Sequence, residues 1–189
     1  MKSNVCKLTG TEGLQDVLRE VEKCAAFNEL DVKQTRRLRL LAEELVGMMP
    51  ALLENATGTF MVENKGTRYD LHVRMKARET GFNTREKLMA VSSTGTNAAA
   101  TGIMGKIRAA AEMMLFPDDD VVVLDFYDYG AVNSMAYNHM WSLRQYSDQV
   151  KEKEEEWDEL EKSIVAKLAD DVIVGIKGKQ VDIIVRKTF

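Results

Sequence analysis

The spacing of hydrophobic and polar positions changes several times along the chain, and each change predicts a different element. Residues 11 to 27 place apolar side chains three and four positions apart, which predicts an amphipathic helix with Thr9 or Thr11 as its N-cap. Asp31 is a favourable N-cap for a second helix, and Pro50 opposes its continuation. The expected apolar face of this second helix consists of Leu38, Leu41, Leu45, Met48 and Met49. The chain therefore opens with two helices that each bury one side.

Between Thr57 and Lys76 the pattern alternates with a period of two, which is typical of a β-hairpin. The turn is expected at Asn64-Lys-Gly66, where the residue types suit a tight reversal. The side chains expected to share one face of the second strand are Tyr69, Leu71, Val73 and Met75. A second alternating pair of segments surrounds Lys177-Gly178-Lys179, so the sequence predicts two hairpins.

The middle of the chain has a less regular pattern. A loop with a short helix is expected over residues 77 to 101. The apolar spacing from Gly102 to Phe116 predicts a longer helix, which ends before Pro117. Val121 to Tyr127 has the composition of a strand, although a packed extended loop is an alternative. A helical pattern returns from Ala136 to Ala169, directly before the final hairpin.

Composition narrows the class of protein. A chain of 189 residues with 45% hydrophobic and 30% charged residues is expected to form a single domain over residues 1 to 189. The net charge of -4 comes without a basic stripe, so we expect neither nucleic acid nor a membrane surface as partner. Cys6 and Cys24 have no metal-ligand spacing and are expected to be reduced thiols. Without a leader or a long apolar run, a soluble cytoplasmic protein is expected.

Three stretches of the sequence carry a resemblance. They are Arg37-Leu-Arg-Leu-Leu-Ala-Glu-Glu-Leu-Val-Gly-Met48, Thr101-Gly-Ile-Met-Gly-Lys-Ile107 and Ser163-Ile-Val-Ala-Lys-Leu-Ala-Asp-Asp-Val172, the last leading into the terminal hairpin. With the order of elements, they resemble the GHKL superfamily of ATPases and kinases, nearest to the bacterial anti-sigma-factor serine kinases. The similarity covers residues 11 to 95 and 156 to 189, so residues 96 to 155 are expected to be an insertion or an extended lid.

The element order predicts an α+β fold, in which a mixed and mostly antiparallel sheet is covered on one face by helices. The resemblance implies that this is a two-layer α/β sandwich of the Bergerat type. It also implies a helix that carries an E-x-x-x-N box, whose carboxylate activates the nucleophile and whose amide holds magnesium. Glu44 occupies the acidic position, and Met48 stands where the asparagine belongs. ATP and magnesium are the implied cofactors, but a thioether is a poor ligand for Mg²⁺, and no metal-binding residues are assigned.

The resemblance also implies positions for the base and the phosphates of a nucleotide. In the family, one sequence box contacts the adenine base, and Glu79 and Gly81 are at the corresponding place in this chain. A glycine-containing turn into a helix is the implied phosphate site, and its residues are Thr101, Gly102, Gly105 and Lys106. A competing alignment through Ser163 places the acidic run at residues 158 to 161 where the family has glycines, and carboxylates there would repel phosphate.

Three functions remain open at this level. The first is a regulatory protein with an eroded ATP site that acts mainly as a protein-interaction module. The second is an active ATP-binding serine kinase of the anti-sigma-factor type, and the third is a small-molecule sensor that uses the vacated nucleotide pocket. Catalysis is thus left undecided. The expected partner is a regulatory protein, with a homodimer as an alternative.

Overall fold

The computed structural model describes residues 1–49, 57–76, 139–144, 164–177 and 180–189. The elements in chain order are β1 (Cys6–Thr9), α1 (Leu14–Phe27), α2 (Val32–Gly47), β2 (Thr57–Lys65), β3 (Arg68–Lys76), β4 (His139–Ser142), α3 (Ile164–Leu168), β5 (Asp171–Lys177) and β6 (Gln180–Thr188). The predicted helix at 102–116, the predicted strand at 121–127 and most of the proposed insertion at 96–155 lie outside the described residues.

The first helix begins later than the sequence suggested. Neither Thr9 nor Thr11 caps α1, because Gly13 occupies the N-cap position with φ 95° and provides no side chain for a cap. Thr9 instead ends β1, and its backbone N–H and C=O both pair with Glu12. The tight turn from β1 into α1 therefore uses the left-handed conformation that glycine adopts at little cost.

The second helix begins where the sequence predicts. The Asp31 carboxylate accepts a hydrogen bond of 2.7 Å from the backbone N–H of Gln34, and the Gln34 side chain accepts one of 3.0 Å from the backbone N–H of Asp31. These reciprocal bonds form a capping box, which satisfies two amide groups that the helix leaves without a partner. The predicted apolar face is confirmed, since Leu38, Leu41, Leu45, Met48 and Met49 are all buried.

The strands form a six-stranded sheet in the order β1-β2-β3-β6-β5-β4. Every pairing among the described strands is antiparallel, so the parallel component of the expected mixed sheet is absent from this part of the chain. The predicted hairpin of β2 and β3 is confirmed with Thr57 opposite Lys76, and Gly66 in its turn has φ 69°. β3 pairs directly with β6, which joins the two predicted hairpins into one sheet.

Alternate strand positions and the inner sides of the helices share one hydrophobic core. The four residues predicted to share a face of β3, Tyr69, Leu71, Val73 and Met75, are each at most 1% exposed. In the core they join residues from both long helices and from the last strand, namely Val17 and Val21 of α1, Leu41 and Leu45 of α2, and Ile183 and Val185 of β6. Both cysteines are free thiols buried in this core. The described residues thus form an α+β fold.

Two parts of the chain differ from their expected secondary structure. β1 was not predicted, because only Cys6 and Leu8 alternate inward over four residues, too short a pattern to distinguish from a loop. Residues His139–Ser142 were expected in a helix, but they form β4 against β5. Within the same expected helical region, Ile164–Leu168 does form α3. None of the described helices has the length and apolar content needed to cross a membrane.

Candidate functional site

Glu44, the predicted catalytic carboxylate, lies on the flank of α2. The residue is half-buried, and its side chain has no hydrogen bond or ion pair with any residue that the structure describes. Its neighbour Glu43 differs, because it accepts a hydrogen bond of 3.2 Å from Arg39. The described part of the chain thus leaves the carboxylate of Glu44 available to a ligand.

Met48 lies one helical turn beyond Glu44 and belongs to the hydrophobic core. The residue is 5% exposed, and its backbone N–H donates to the carbonyl of Glu44 at 3.0 Å. Its side chain packs within the same cluster as Leu45 and Met49. The position that would carry a magnesium-holding asparagine is therefore used for packing between α2 and the rest of the core.

The other residues predicted to bind nucleotide lie outside the described residues. They are Glu79, Gly81, Thr101, Gly102, Gly105 and Lys106, together with the acidic run at residues 158 to 161. Only Glu44 and Met48 of the predicted nucleotide site can therefore be placed.

A second polar constellation lies on the face of the sheet opposite the core. Glu63 of β2 is directly across from Asp70 of β3, and His72 is two positions further along β3. One ligand atom from each of these three side chains lies within 4.8 Å of the other two. Because side chains two positions apart in a strand point to the same face, strand pairing brings the three groups together.

Asp70 is the most buried of these three groups and is held by two arginines. It is 3% exposed, and its Oδ1 accepts a hydrogen bond of 2.9 Å from Nε of Arg186. Its Oδ2 lies 3.4 Å from a terminal nitrogen of Arg68. Both carboxylate oxygens are therefore engaged by positive charge, which makes burial of the Asp70 anion tolerable.

Glu63 is neutralised by lysines at the edge of the same face. Its Oε2 lies 3.0 Å from Nζ of Lys65, and its Oε1 lies 3.5 Å from Nζ of Lys2. Burial opposes ionisation of Glu63, but the hydrogen bond and charge of Lys65, with the charge of Lys2, outweigh it and lower the pKa of this carboxyl. Glu63 is thus a stable anion within an ion-pair network.

His72 completes the constellation without a hydrogen bond at its Nε2 atom. This atom is buried and lies 3.7 Å from Oε2 of Glu63, which is too long for a hydrogen bond. Burial lowers the pKa of His72, and the nearby negative charges of Asp70 and Glu63 only partly oppose this effect. The imidazole is therefore expected to be neutral at pH 7.

These three side chains are chemically suitable ligands for a divalent cation, but their surroundings disfavour one. A neutral imidazole with two carboxylates would suit a transition metal. However, Lys2, Lys65, Arg68 and Arg186 already contribute four positive charges against the two carboxylates. A bound cation would have to displace these ion pairs. The geometry therefore indicates a structural network that ties β2, β3 and β6 together.

A shallow depression of about 170 Å³ lies beside this network. Its lining includes Val5, Thr59, Met61, His72, Arg74 and Asp182. Nε of Arg74 donates to Oδ1 of Asp182 at 2.8 Å, and Nε2 of Gln180 donates to Oδ2 at 3.0 Å. The charged groups at this depression are thus paired with each other. This polar face was not predicted from the sequence, although the alternating polar positions along β3 were the available signal.

The comparisons with known proteins give no family assignment. No protein-family model matches the chain, and no curated protein matches it.

Proposed function

We propose that this chain is a regulatory protein of the GHKL type with an eroded nucleotide site, acting mainly as a protein-interaction module. The Bergerat-type two-layer sandwich is part of this proposal. The antiparallel sheet with two helices is compatible with it, and so is the pairing of β3 with β6, which places both hairpins in one sheet. A common α+β architecture supports many functions, so the proposal depends on the predicted site itself.

The observation that carries the proposal is the burial of Met48. In the implied family, the residue four positions after the catalytic carboxylate must present an oxygen to magnesium. Here that side chain is a thioether, and its residue is 5% exposed within the core. Magnesium prefers oxygen ligands in octahedral geometry, which this position does not provide. Without magnesium, the negative charges of a nucleoside triphosphate would lack their usual counter-ion at this site.

Exposed hydrophobic side chains support the interaction part of the proposal. Phe27 and Val32 are each 71% exposed, at the end of α1 and the start of α2. Large apolar groups left in water are available to a protein partner, which would bury them on binding.

A thermal-shift titration with ATP and magnesium tests the erosion of the site. A ligand that binds only the folded protein raises stability by about 2.7 kcal/mol at a hundredfold excess over its Kd. We expect no shift of the midpoint at millimolar nucleotide, in the wild-type protein or in Glu44→Gln. A saturable shift that disappears in Glu44→Gln would overturn the proposal.

The interaction part requires a separate measurement. Light scattering should reveal a stable homodimer, or crosslinking in cells should identify a protein that rebinds the purified chain with a measurable Kd. A monomer with no partner that rebinds would contradict this part. Because neither measurement involves nucleotide, their outcome is independent of the ATP titration.

An active serine kinase is the second candidate, and Glu44 is the observation that favours it. Glu44 is half-buried and its carboxylate has no polar partner among the described residues, as expected of a general base that contacts its substrate directly. Phosphorylation of a partner's serine, lost in Glu44→Gln but retained in Glu43→Gln, would establish this function. Glu43 is the matched control because it lies on the same helix and pairs with Arg39.

A further inference from the structure

The outer side of α2 carries a row of exposed residues that we call the α2 stripe, defined as Val32, Lys33, Arg36 and Leu40. Val32, Arg36 and Leu40 are spaced by four residues, so they follow one another along the same side of the helix. Val32 is 71% and Leu40 is 41% exposed, and both cations are exposed. The stripe thus combines apolar and basic groups over about 12 Å of helix length.

The α2 stripe has no role in the core that the structure describes. The opposite side of the helix supplies the buried residues, with Leu38, Leu41 and Leu45 all fully inaccessible. Phe27 precedes the stripe by a short connection and is as exposed as Val32. Packing among the residues that the structure describes therefore gives no reason for aliphatic side chains at Val32 and Leu40.

The positive charges of the stripe are not compensated by the described part of the protein. Lys33 and Arg36 form no ion pair with any described residue, whereas Arg39 contacts Glu22 at 2.6 Å and Glu43 at 3.2 Å. The chain as a whole has a net charge of -4, so this is a local excess of positive charge. The stripe also begins at the helix N-terminus, where the helix dipole favours negative groups.

We propose that the α2 stripe binds an acidic amphipathic helix of a protein partner. Aliphatic side chains of that helix pack against Val32 and Leu40, while its carboxylates pair with Lys33 and Arg36. The proposal rests on the interaction function proposed above and names the surface and the chemistry of the partner.

The arrangement of charges favours a narrow helical partner over an anionic membrane. Glu22 and Glu43 both pair with Arg39 on this exposed part of the molecule, and their side chains remain 48% and 36% exposed. A flat anionic surface would meet these carboxylates together with Lys33 and Arg36, and like charges oppose such contact. A single narrow helix can contact the four residues of the stripe without covering Glu22 and Glu43, which keep their pairing with Arg39.

A selection from a library of displayed helical peptides tests the chemistry of the partner directly. The purified full chain is the target, and the double variant Lys33→Glu with Arg36→Glu is the counter-target. We expect enriched peptides to be acidic and to carry aliphatic residues on one helical face. No enrichment above the counter-target, or enrichment without acidic residues, would overturn the proposal.

Affinity measurements on the best enriched peptide separate the two contributions. Two double variants are compared with the wild type: Lys33→Glu with Arg36→Glu reverses the charges, and Val32→Gln with Leu40→Gln removes the apolar groups. Each should weaken peptide binding by about tenfold or more and leave the thermal midpoint near that of the wild type. The control is Lys7→Glu with Lys76→Glu, which reverses two exposed cations on β1 and β3 and should change affinity by less than about twofold. Equal weakening in the control would refute binding at the stripe.

Vesicles of phosphatidylcholine with phosphatidylserine test the competing class of partner. If the protein cosediments with these vesicles, loses this binding when Arg36 is substituted, and binds no selected peptide, the proposal is overturned. The stripe would then be a membrane-binding surface. Failure of the peptide experiments with a homodimer seen by light scattering would overturn the stripe proposal alone. The interaction function would then rest on another surface.

Discussion

Nε of Arg186 donates a hydrogen bond of 2.9 Å to Oδ1 of Asp70, which links β6 to β3 between residues 116 positions apart. The two residues are directly opposite each other in the strand register. Arg186 is 17% and Asp70 is 4% exposed at the side chain, so the pair is largely shielded from water. An ion pair in this position ties together the two hairpins that the sheet brings side by side.

Asp70→Asn is expected to destabilise the protein by about 2 kcal/mol, because Arg68 and Arg186 would lose their shared counter-ion. Urea unfolding followed by circular dichroism measures this loss. Asp16→Asn is the control, since its pair with Arg19 is 65% exposed on both sides and should contribute less than about 0.5 kcal/mol. Similar losses in the two variants would show that the buried ion pair contributes no more to the free energy of unfolding than the exposed one.

Acid should destabilise the protein through His72. Burial lowers the pKa of its imidazole below the ordinary 6.5, so the unfolded chain takes up a proton at higher pH than the folded protein does. The His72 contribution to stability is thus present above pH 6.5 and decreases as pH falls from there through the folded pKa. Urea unfolding between about pH 8 and about pH 5 should show a smaller decrease in His72→Gln.

Proton NMR of the two histidines provides the direct measurement for His72. The imidazole signal that disappears in His72→Gln is assigned to this residue, and its titration midpoint should lie below 6.5. A midpoint at or above 6.5 would show that Glu63 and Asp70 stabilise the charged form more strongly than burial disfavours it.

Most of the described fold was predictable from local patterns. The alternating residues of β3 and the N-cap at Asp31 are encoded within a few positions of sequence, and both are found as expected. The network of Asp70 with Arg186 was not predictable, because neither residue carries information about which strand will be its neighbour. Of the candidate nucleotide site, only Glu44 and Met48 lie within the described residues, and the role of Glu44 stays a prediction. The burial of Met48 was also predicted, because its spacing from Leu41 and Leu45 places it on the apolar face of α2.

Met48→Asn is expected to destabilise the protein by about 2 to 4 kcal/mol, although asparagine is the residue type at this position in the family that the sequence resembles. The amide would enter a hydrophobic cluster at a position that is 5% exposed, and its polar groups would lose water. Met48→Leu is the control and should cost less than about 1.5 kcal/mol, because its volume and polarity are similar. Chemical denaturation of both variants measures the difference. Equal stability of wild type and Met48→Asn would mean that this side chain can reach solvent or a ligand.

Gly13→Ala should destabilise the protein more than Gly66→Ala, although both glycines have positive φ, at 95° and 69°. A left-handed conformation alone costs an alanine about 1 to 2 kcal/mol, and both variants incur this cost. A Cβ atom at Gly66 would meet open space, whereas one at Gly13 would collide with the backbone carbonyl of Lys7 and press on Leu8. The backbone cannot yield without shifting β1 from β2, so we expect an additional loss of about 1 to 3 kcal/mol for Gly13→Ala. Thermal unfolding of the two variants measures this difference, and equal midpoints would show that β1 is not held tightly against the start of α1.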